Sequence, residues 1–230
     1  MKKYSLIFML GIVACLLCFT TCKKDKSDPS VPVKKLKKIT ADGETITFEY
    51  NAAGKLSKMT LDETFYVAYQ YLSNMLISTY YDSGDIEIDT AYTNSDGYII
   101  KETSGSFETN YEYTDGYLSR IIDKTPYQTD TVTCTWQDGN LMSTNSESEP
   151  LYEYYLDKPN RCFSMTDYEE FTSFYGKTTK NLLKKETYHA PQHIPEMVYE
   201  YTYEFDSDGY VTKMTKVGGG DTTIFTIEWN

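Results

Sequence analysis

Aromatic and polar residues alternate along many short stretches of the chain from residue 36 onward. Phe48-Glu49-Tyr50 and Tyr111-Glu112-Tyr113 are two examples, and the longest stretch covers residues 199–205. A period of two places one set of side chains on each face of a strand. These stretches therefore predict half-buried antiparallel strands.

Short turns separate the strand patterns. After most of these turns comes an aliphatic residue, followed by Lys, Arg or Ser. Five turns end in glycine, which supplies positive φ at no steric cost: Gly54, Gly97, Gly116, Gly139 and Gly209. Their spacing becomes a regular step of about 22 residues if three further turns lack glycine. We place those at 72–74, 157–160 and 179–181. Eight such units predict an all-β domain of about 16 strands.

One segment breaks the strand pattern. Residues 166–169 (TDYE) fit a capping box, and Phe171, Phe174 and Tyr175 follow at helical spacing. The sequence therefore predicts a short helix near residues 167–175 that covers an end or edge of the sheet.

The N-terminus has the pattern of an export signal. Lys2 and Lys3 precede an uncharged apolar stretch from residue 4 to residue 20, and Cys22 follows Thr20-Thr21 in the manner of a lipobox. We expect residues 1–21 to be removed as a lipoprotein signal peptide and Cys22 to be lipidated. An ordinary cleaved signal and an uncleaved anchor are the two alternatives.

The residues after Cys22 predict how the domain is attached. Residues 22–35 are rich in Lys, Asp, Ser and Pro and predict a flexible tether, which leaves residues 36–230 as one domain. Lys23, in place of Asp, is typical of lipoproteins delivered to the outer membrane of Gram-negative bacteria. Lipid chains give a stable anchor, and the domain faces either the periplasm or the cell surface.

Charge and cysteine content narrow the partners further. Residues 22–230 contain 20 basic and 34 acidic residues, which gives a formal charge of −14. Nucleic acid is therefore not an expected partner. Cys134 and Cys162 remain once the signal is removed and Cys22 is lipidated. Each lies in a strand-like stretch, so the two either pair or remain as small buried thiols.

The repeat resembles known families. Residues 111–120 (YEYTDGYLSR) are similar to the tyrosine-aspartate repeats of Rhs-type shell proteins. The lipobox, the repeat and residues 175–184 (YGKTTKNLLK) together resemble a family of uncharacterised lipoproteins from gut bacteria, described as a domain of unknown function with a porin-like fold. The resemblance implies a meandering antiparallel sheet over residues 36–230, curled or closed like a barrel, and it implies no activity.

A membrane pore is one reading of such a sheet, because an aromatic face could meet lipid while a polar face lines water. Three features favour the other reading: charges within the strands, tyrosine in place of leucine as the main apolar residue, and Asn230 at the C-terminus. In that reading, tyrosine rings are buried inside the curled sheet and their hydroxyl groups reach polar partners.

The chain offers no motif that carries chemistry. His189 and His193 stand among prolines without further metal ligands, and residues 206–209 (DSDG) begin like a calcium loop but lack its later ligands. We therefore expect no catalytic residue, no metal and no cofactor, and no enzymatic activity.

The remaining functions are those of a binding surface. We expect a non-enzymatic β-scaffold that contacts an envelope protein, and the alternative is a glycan-binding surface lipoprotein of a nutrient-capture system. Sugar rings stack on exposed aromatic side chains. The candidate ligand contacts are Tyr81, Tyr98, Tyr117 and Tyr210.

Overall fold

The computed structural model describes residues 34–146, 150–161, 174–188 and 196–230. These residues form sixteen antiparallel strands. In chain order the strands are β1 (Leu36–Ala41), β2 (Glu44–Tyr50), β3 (Leu56–Thr60), β4 (Phe65–Tyr71), β5 (Met75–Asp82), β6 (Asp85–Thr93), β7 (Ile99–Ser104), β8 (Phe107–Thr114), β9 (Tyr117–Lys124), β10 (Thr129–Gln137), β11 (Asn140–Thr144), β12 (Leu151–Pro159), β13 (Asn181–Tyr188), β14 (Met197–Phe205), β15 (Val211–Gly218) and β16 (Asp221–Trp229).

The sheet is closed. Each strand pairs with the next one in the chain, and β16 pairs with β1, where Ile39 lies opposite Ile227. The predicted all-β meander of about sixteen strands is confirmed, and of the two shapes expected, curled or closed, the closed barrel is the one formed. Closure gives every described strand a partner on both sides, although β11 and β12 pair at one position only, Ser143 with Leu151.

The two ends of the barrel differ. The terminal end holds Lys34 and Asn230, and the Asn230 N–H donates a hydrogen bond to the Lys35 carbonyl at 2.8 Å. All five predicted glycine turns lie at this end, as does the turn at 72–74. The opposite end, the far end, carries tight turns such as Asp42-Gly43 and Ser83-Gly84, in which both residues have positive φ. The sequence interpretation did not assign these far-end turns, although they are two-residue turns like Asp115-Gly116 and Asp138-Gly139 at the terminal end.

Two of the turns were predicted as the turns of separate hairpins, and this prediction is wrong. Residues 157–159 belong to β12, and Asn181 is the first residue of β13, which pairs directly with β12. The turns predicted at 157–160 and 179–181 are thus the two ends of one long connection. The count of sixteen strands still holds, because the β1–β16 pairing takes the place of an eighth turn at the terminal end.

Several predictions fall on residues that the structure does not describe. These are the signal peptide, Cys22, the tether up to residue 33, Cys162, His189 and His193. Of the helix predicted at 167–175, only Phe174 and Tyr175 are described, and both lie in a turn.

A bulge recurs at the start of every odd-numbered strand except β5. In β3, β9 and β15, one extra residue follows the first aliphatic residue, so the inward positions are separated by three residues, as in Leu118 and Ile121. The same shift occurs in β1, β7, β11 and β13. A bulge of this kind removes one residue from the ladder and bends the strand.

The inward side chains fill the barrel with aliphatic and aromatic groups. Leu36, Met214 and Tyr201 are fully buried, and further inward residues of nearly every strand join them in one cluster. The predicted burial of tyrosine rings with bonded hydroxyl groups is confirmed. Six rings donate a hydrogen bond to the carbonyl of the residue directly before a bulge: Tyr50 to Leu36, Tyr113 to Ile99, Trp136 to Leu118, Tyr154 to Leu141, Tyr203 to Leu183 and Trp229 to Val211.

Outward side chains are mostly Thr, Lys and Glu, and they pair across neighbouring strands. Arg120 lies 2.9 Å from Glu112, and Lys213 lies 2.7 Å from Glu204. Lys38–Glu228 and Lys185–Glu153 are further pairs of the same kind. The pattern is therefore apolar inside and charged outside. No helix among the described residues is long and apolar enough to cross a membrane.

Cys134 faces inward on β10 as a free thiol and is 8% exposed. Burial raises the pKa of the Cys134 thiol to about 12. The thiol therefore behaves as a small apolar core group.

Candidate ligand-binding cavity

The barrel interior contains a cavity of about 310 Å³ between β4–β8 and residues 174–175. Its walls carry aromatic rings, hydroxyl groups and carboxylates: Tyr69, Leu76, Ser78, Tyr80, Asp89, Thr90, Ala91, Ile99, Glu102, Thr103, Ser104, Phe107, Thr109, Phe174 and Tyr175. Its volume is at the lower end of the range found for ligand pockets.

Strand register explains which side chains reach the cavity. Tyr80 pairs with Glu87 across β5–β6, and Ala91 pairs with Glu102 across β6–β7. Because paired residues point to the same face, the burial of Ala91 shows that Glu102 also points inward. The bulge after Ile99 makes this placement possible, since strict alternation from Ile99 would turn Lys101 inward and Glu102 outward.

Glu102 is the central polar group of the cavity. The Tyr111 hydroxyl donates to Glu102 Oε2 at 2.6 Å, and the Tyr175 hydroxyl donates to Oε1 at 2.8 Å. Burial raises the pKa of the Glu102 carboxyl, and the negative charges of Asp89 and Asp123 act in the same direction, while the two hydroxyl bonds oppose the rise. The carboxylate is thus held rigidly by donors but sits where its charge is poorly solvated.

Other acidic groups surround Glu102. Burial, with the neighbouring charge of Glu87, raises the pKa of Asp89. Asp123 accepts a hydrogen bond from Thr109 Oγ1 at 2.7 Å. Burial raises the pKa of Tyr80 to about 12, and the charges of Asp89, Glu102 and Glu87 are smaller causes of the same rise. The phenol is therefore neutral at physiological pH and can donate a hydrogen bond.

Residues 174–180, the described end of the connection between β12 and β13, lie beside the cavity on the side of the terminal end. The N–H groups of Lys177 and Lys180 donate to the Gly116 and Gly139 carbonyls at 2.7 and 2.8 Å, which fixes this segment across the turns. The Phe174 ring packs 6.0 Å from Tyr69, and the Tyr175 ring packs edge-on 4.6 Å from Tyr111. Residues 174–180 thus cap the cavity.

Toward the far end the cavity meets solvent. Phe107, beside the Gly105 turn, is 59% exposed although it shares the inward face with Ser104, its partner across β7–β8. A small molecule can therefore enter from the far end. It would meet aromatic faces, hydroxyl groups and fixed carboxylates, which suit stacking and hydrogen bonding. Among the described residues, no three His, Cys, Asp or Glu side chains converge as metal ligands would.

A second Glu–Tyr pair lies in the opposite wall of the barrel. Glu186 on β13 is 1% exposed, accepts a hydrogen bond from the Tyr201 hydroxyl, and lies 2.9 Å from Lys216 Nζ. The Lys216 ammonium also stands over the Tyr199 ring. This charged cluster is neutralised within the protein and belongs to the packed interior.

The four tyrosines predicted as ligand contacts do not share one site. Tyr98 lies just before β7 and Tyr117 is the first residue of β9, both at the terminal end. Each packs on a ring near the end of the next strand, Tyr113 and Trp136 respectively. Tyr210 does the same against Trp229 and is 4% exposed.

Tyr81 differs from the other three. It lies on the outer face of β5 and stacks on Tyr66 with ring centroids 4.3 Å apart. Ile86, its partner on β6, and Ile88 are 62% and 64% exposed. These four residues form an outer apolar patch (Tyr66, Tyr81, Ile86 and Ile88) on the wall of the barrel.

Comparisons with known proteins agree with this architecture. A family model described as "Domain of unknown function (DUF4595) with porin-like fold" matches residues 48–213. The solved structure of a porin-like protein from Bacteroides uniformis aligns with 88% of this chain and 100% of its own, with a TM-score of 0.65 and 16% sequence identity. At that identity the likeness concerns the fold alone. No curated protein matches the chain.

Proposed function

The chain belongs to a family of domains of unknown function with a porin-like fold, and from that premise we propose that it is a lipid-anchored, non-enzymatic interaction protein of the outer membrane. In this proposal Cys22 carries the lipid, and the barrel stands in water beside the membrane. The observation that carries it is the distribution of side chains, apolar and packed inside and ion-paired outside.

A lipid-facing barrel needs the reverse arrangement. Its outer face carries an apolar band, and a Lys or Arg at the middle of that band costs about 2–4 kcal/mol. Here the outward Arg120, Lys185 and Lys213 pair with glutamates on neighbouring strands, and aromatic rings occupy the interior instead. This arrangement supports a barrel in contact with water and a membrane attachment that depends on lipid.

Attachment at Cys22 would orient the barrel. The described chain begins at Lys34 at the terminal end, where Lys34 Nζ contacts Asp206 at 2.7 Å and Asp208 at 2.6 Å. A tether from Cys22 would therefore hold the terminal end toward the membrane and leave the far end, with the cavity mouth, directed away from it. The outer apolar patch on β4–β6 would lie on the side wall, where it is open to a partner protein.

The test is to follow the chain in cells. Mass spectrometry of the N-terminal peptide should show an acylated Cys22, and fractionation should place the protein with the outer membrane. When residues 1–22 are replaced by a cleavable signal without a lipobox, the barrel should appear in the soluble periplasmic fraction. A barrel that stays in the membrane without its lipid would contradict the proposal.

A glycan-binding lipoprotein is the second candidate function, and the cavity favours it. Aromatic rings beside hydroxyl groups and carboxylates form the kind of wall on which sugar rings stack and hydrogen-bond. A ligand at a hundred times its dissociation constant stabilises a protein by about 2.7 kcal/mol. Melting curves of the protein with a panel of oligosaccharides should therefore show a clear shift for one of them.

A further inference from the structure

The two inward glutamates occupy the same position of the repeat. Glu102 lies three residues after Ile99, and Glu186 lies three residues after Leu183, in each case across the bulge. Five other bulged strands carry Ile39, Met59, Ile121, Thr144 and Met214 at this position. A hydroxyl from the next strand, Tyr111 or Tyr201, binds each glutamate.

The two sites differ in their counter-charge. Lys216 neutralises Glu186 and lies two residues after Met214 on β15. The equivalent residue of β9, two after Ile121, is Asp123, so the Glu102 site has an acid where the Glu186 site has an ammonium group. No described lysine or arginine forms an ion pair with Glu102, Asp89 or Asp123.

The Glu102 site has room for a ligand. The cavity of about 310 Å³ opens beside Glu102 and Asp89, and the rings of Tyr69, Tyr80 and Phe107 line it. An ammonium group is attracted to aromatic faces as well as to carboxylates. The volume is much larger than a bare metal ion fills, which favours an organic cation.

We propose that this cavity binds a small ligand through a protonated amine, which takes the place beside Glu102 that Lys216 takes beside Glu186. Asp89 and Glu102 would receive the ammonium group, and the aromatic rings would hold the rest of the ligand. Like the second candidate function, the inference needs a small-molecule site in the cavity. Two classes of small molecule carry such a protonated amine, amino sugars and polyamines.

The test is calorimetric titration of the full acylated chain in mild detergent with three probes. Di-glucosamine carries free ammonium groups, di-N-acetylglucosamine is its uncharged counterpart, and spermidine carries the amine without a sugar ring. We expect di-glucosamine or spermidine to bind at least about tenfold more tightly than the acetylated sugar, since charge-assisted hydrogen bonds are stronger than neutral ones. The tighter of the two amines identifies the source.

Variants tie the binding to the cavity. Glu102→Gln should weaken amine binding at least about tenfold, and Asp123→Lys should abolish it because the new ammonium group occupies the ligand's place. Glu112→Gln is the matched control, since Glu112 lies on the outer face paired with Arg120 and should leave binding unchanged. Melting curves show whether each variant is folded.

Three results would overturn the inference. If both sugars bind with equal affinity, the charge of the ligand has no role in binding, and the glycan-binding function still stands. Amine binding that survives both Glu102→Gln and Asp123→Lys would place the ligand elsewhere. A folded protein that binds none of the three probes would remove the inference and leave the second candidate function to the panel of oligosaccharides.

Discussion

At the scale of single residues, aromatic side chains stabilise the barrel through their polar groups as much as through their rings. A bulge leaves a residue without its place in the ladder, and a buried carbonyl that lacks a donor is costly. Tyr113 donates to the Ile99 carbonyl directly before such a bulge, and Trp136 does the same for Leu118. This explains why the repeat ends its even-numbered strands in Tyr or Trp more often than in Phe.

The hydroxyl of Tyr113 should therefore contribute measurably to stability. Tyr113→Phe should lower the free energy of unfolding by about 1–2 kcal/mol, because a buried carbonyl loses its donor. Tyr71→Phe is the matched control, since the buried Tyr71 hydroxyl has no hydrogen-bond partner among the described residues. Urea unfolding of the two variants should separate them, and equal losses would contradict this role of the hydroxyl.

Cys134 should be inert in the folded protein. Its thiol is buried and its pKa is raised to about 12, so almost no thiolate exists at pH 8. Iodoacetamide at pH 8 should leave Cys134 unmodified in the native protein and modify it in urea, as peptide mass spectrometry would show. Modification in urea that also requires a reductant would instead indicate a disulfide.

Glu102 should make stability depend on pH. Its folded-state pKa is raised, so the folded protein holds the proton more tightly than the unfolded chain. The free energy of unfolding therefore falls as pH rises from the ordinary glutamate value through the raised one. Between pH 4 and pH 7 the wild type should lose stability relative to Glu102→Gln in urea unfolding. A difference that is constant over this range would show that the pKa is not raised.

At the scale of elements, residues 174–180 act as a cap held by backbone contacts. Gly176 has φ +113°, and a Cβ atom there would lie 2.7 Å from the Gly116 carbonyl oxygen. Only glycine permits this close approach, which accounts for the glycine in the segment 175–184 that the sequence interpretation singled out.

Gly176→Ala should disturb this cap. It should lower the free energy of unfolding by about 1 kcal/mol more than Gly43→Ala, since both residues have positive φ but a Cβ atom at Gly43 meets nothing within 4 Å. Thermal or urea unfolding of the two variants gives the comparison. If Gly43→Ala is the more damaging change, the close approach to Gly116 is not what requires glycine.

The sequence was sufficient to predict strands but not their inward faces. Alternation identified Tyr111 and Tyr113 as one face of a strand, and the turn at 114–116 set the strand that follows as its neighbour. Glu102 was missed because alternation alone turns it outward. A signal was present, since Leu56 with Met59 and Val211 with Met214 keep a spacing of three after each turn, which indicates a bulge. The cap was mispredicted as two hairpins because Asn160 and Asn181 fit turn chemistry locally.

At the scale of the whole molecule, the barrel resembles a porin in strand order but not in the distribution of polarity. Its sixteen strands enclose packed tyrosine, leucine and methionine side chains, with a cavity on the β4–β8 side. Ion pairs between neighbouring strands lie along its outer wall. The barrel is thus filled rather than hollow, and in the proposed function a lipid at Cys22 attaches it to the membrane.

Sedimentation velocity of the protein without its lipid tests this account most directly. The chain, with residues 1–22 replaced by a cleavable signal that carries no lipobox, would be purified and examined in buffer without detergent. The account predicts a folded particle that sediments as a defined species and melts cooperatively, because its outer surface is polar. Aggregation relieved only by detergent, with ion conductance after insertion into vesicles, would contradict it and identify the barrel as a membrane pore.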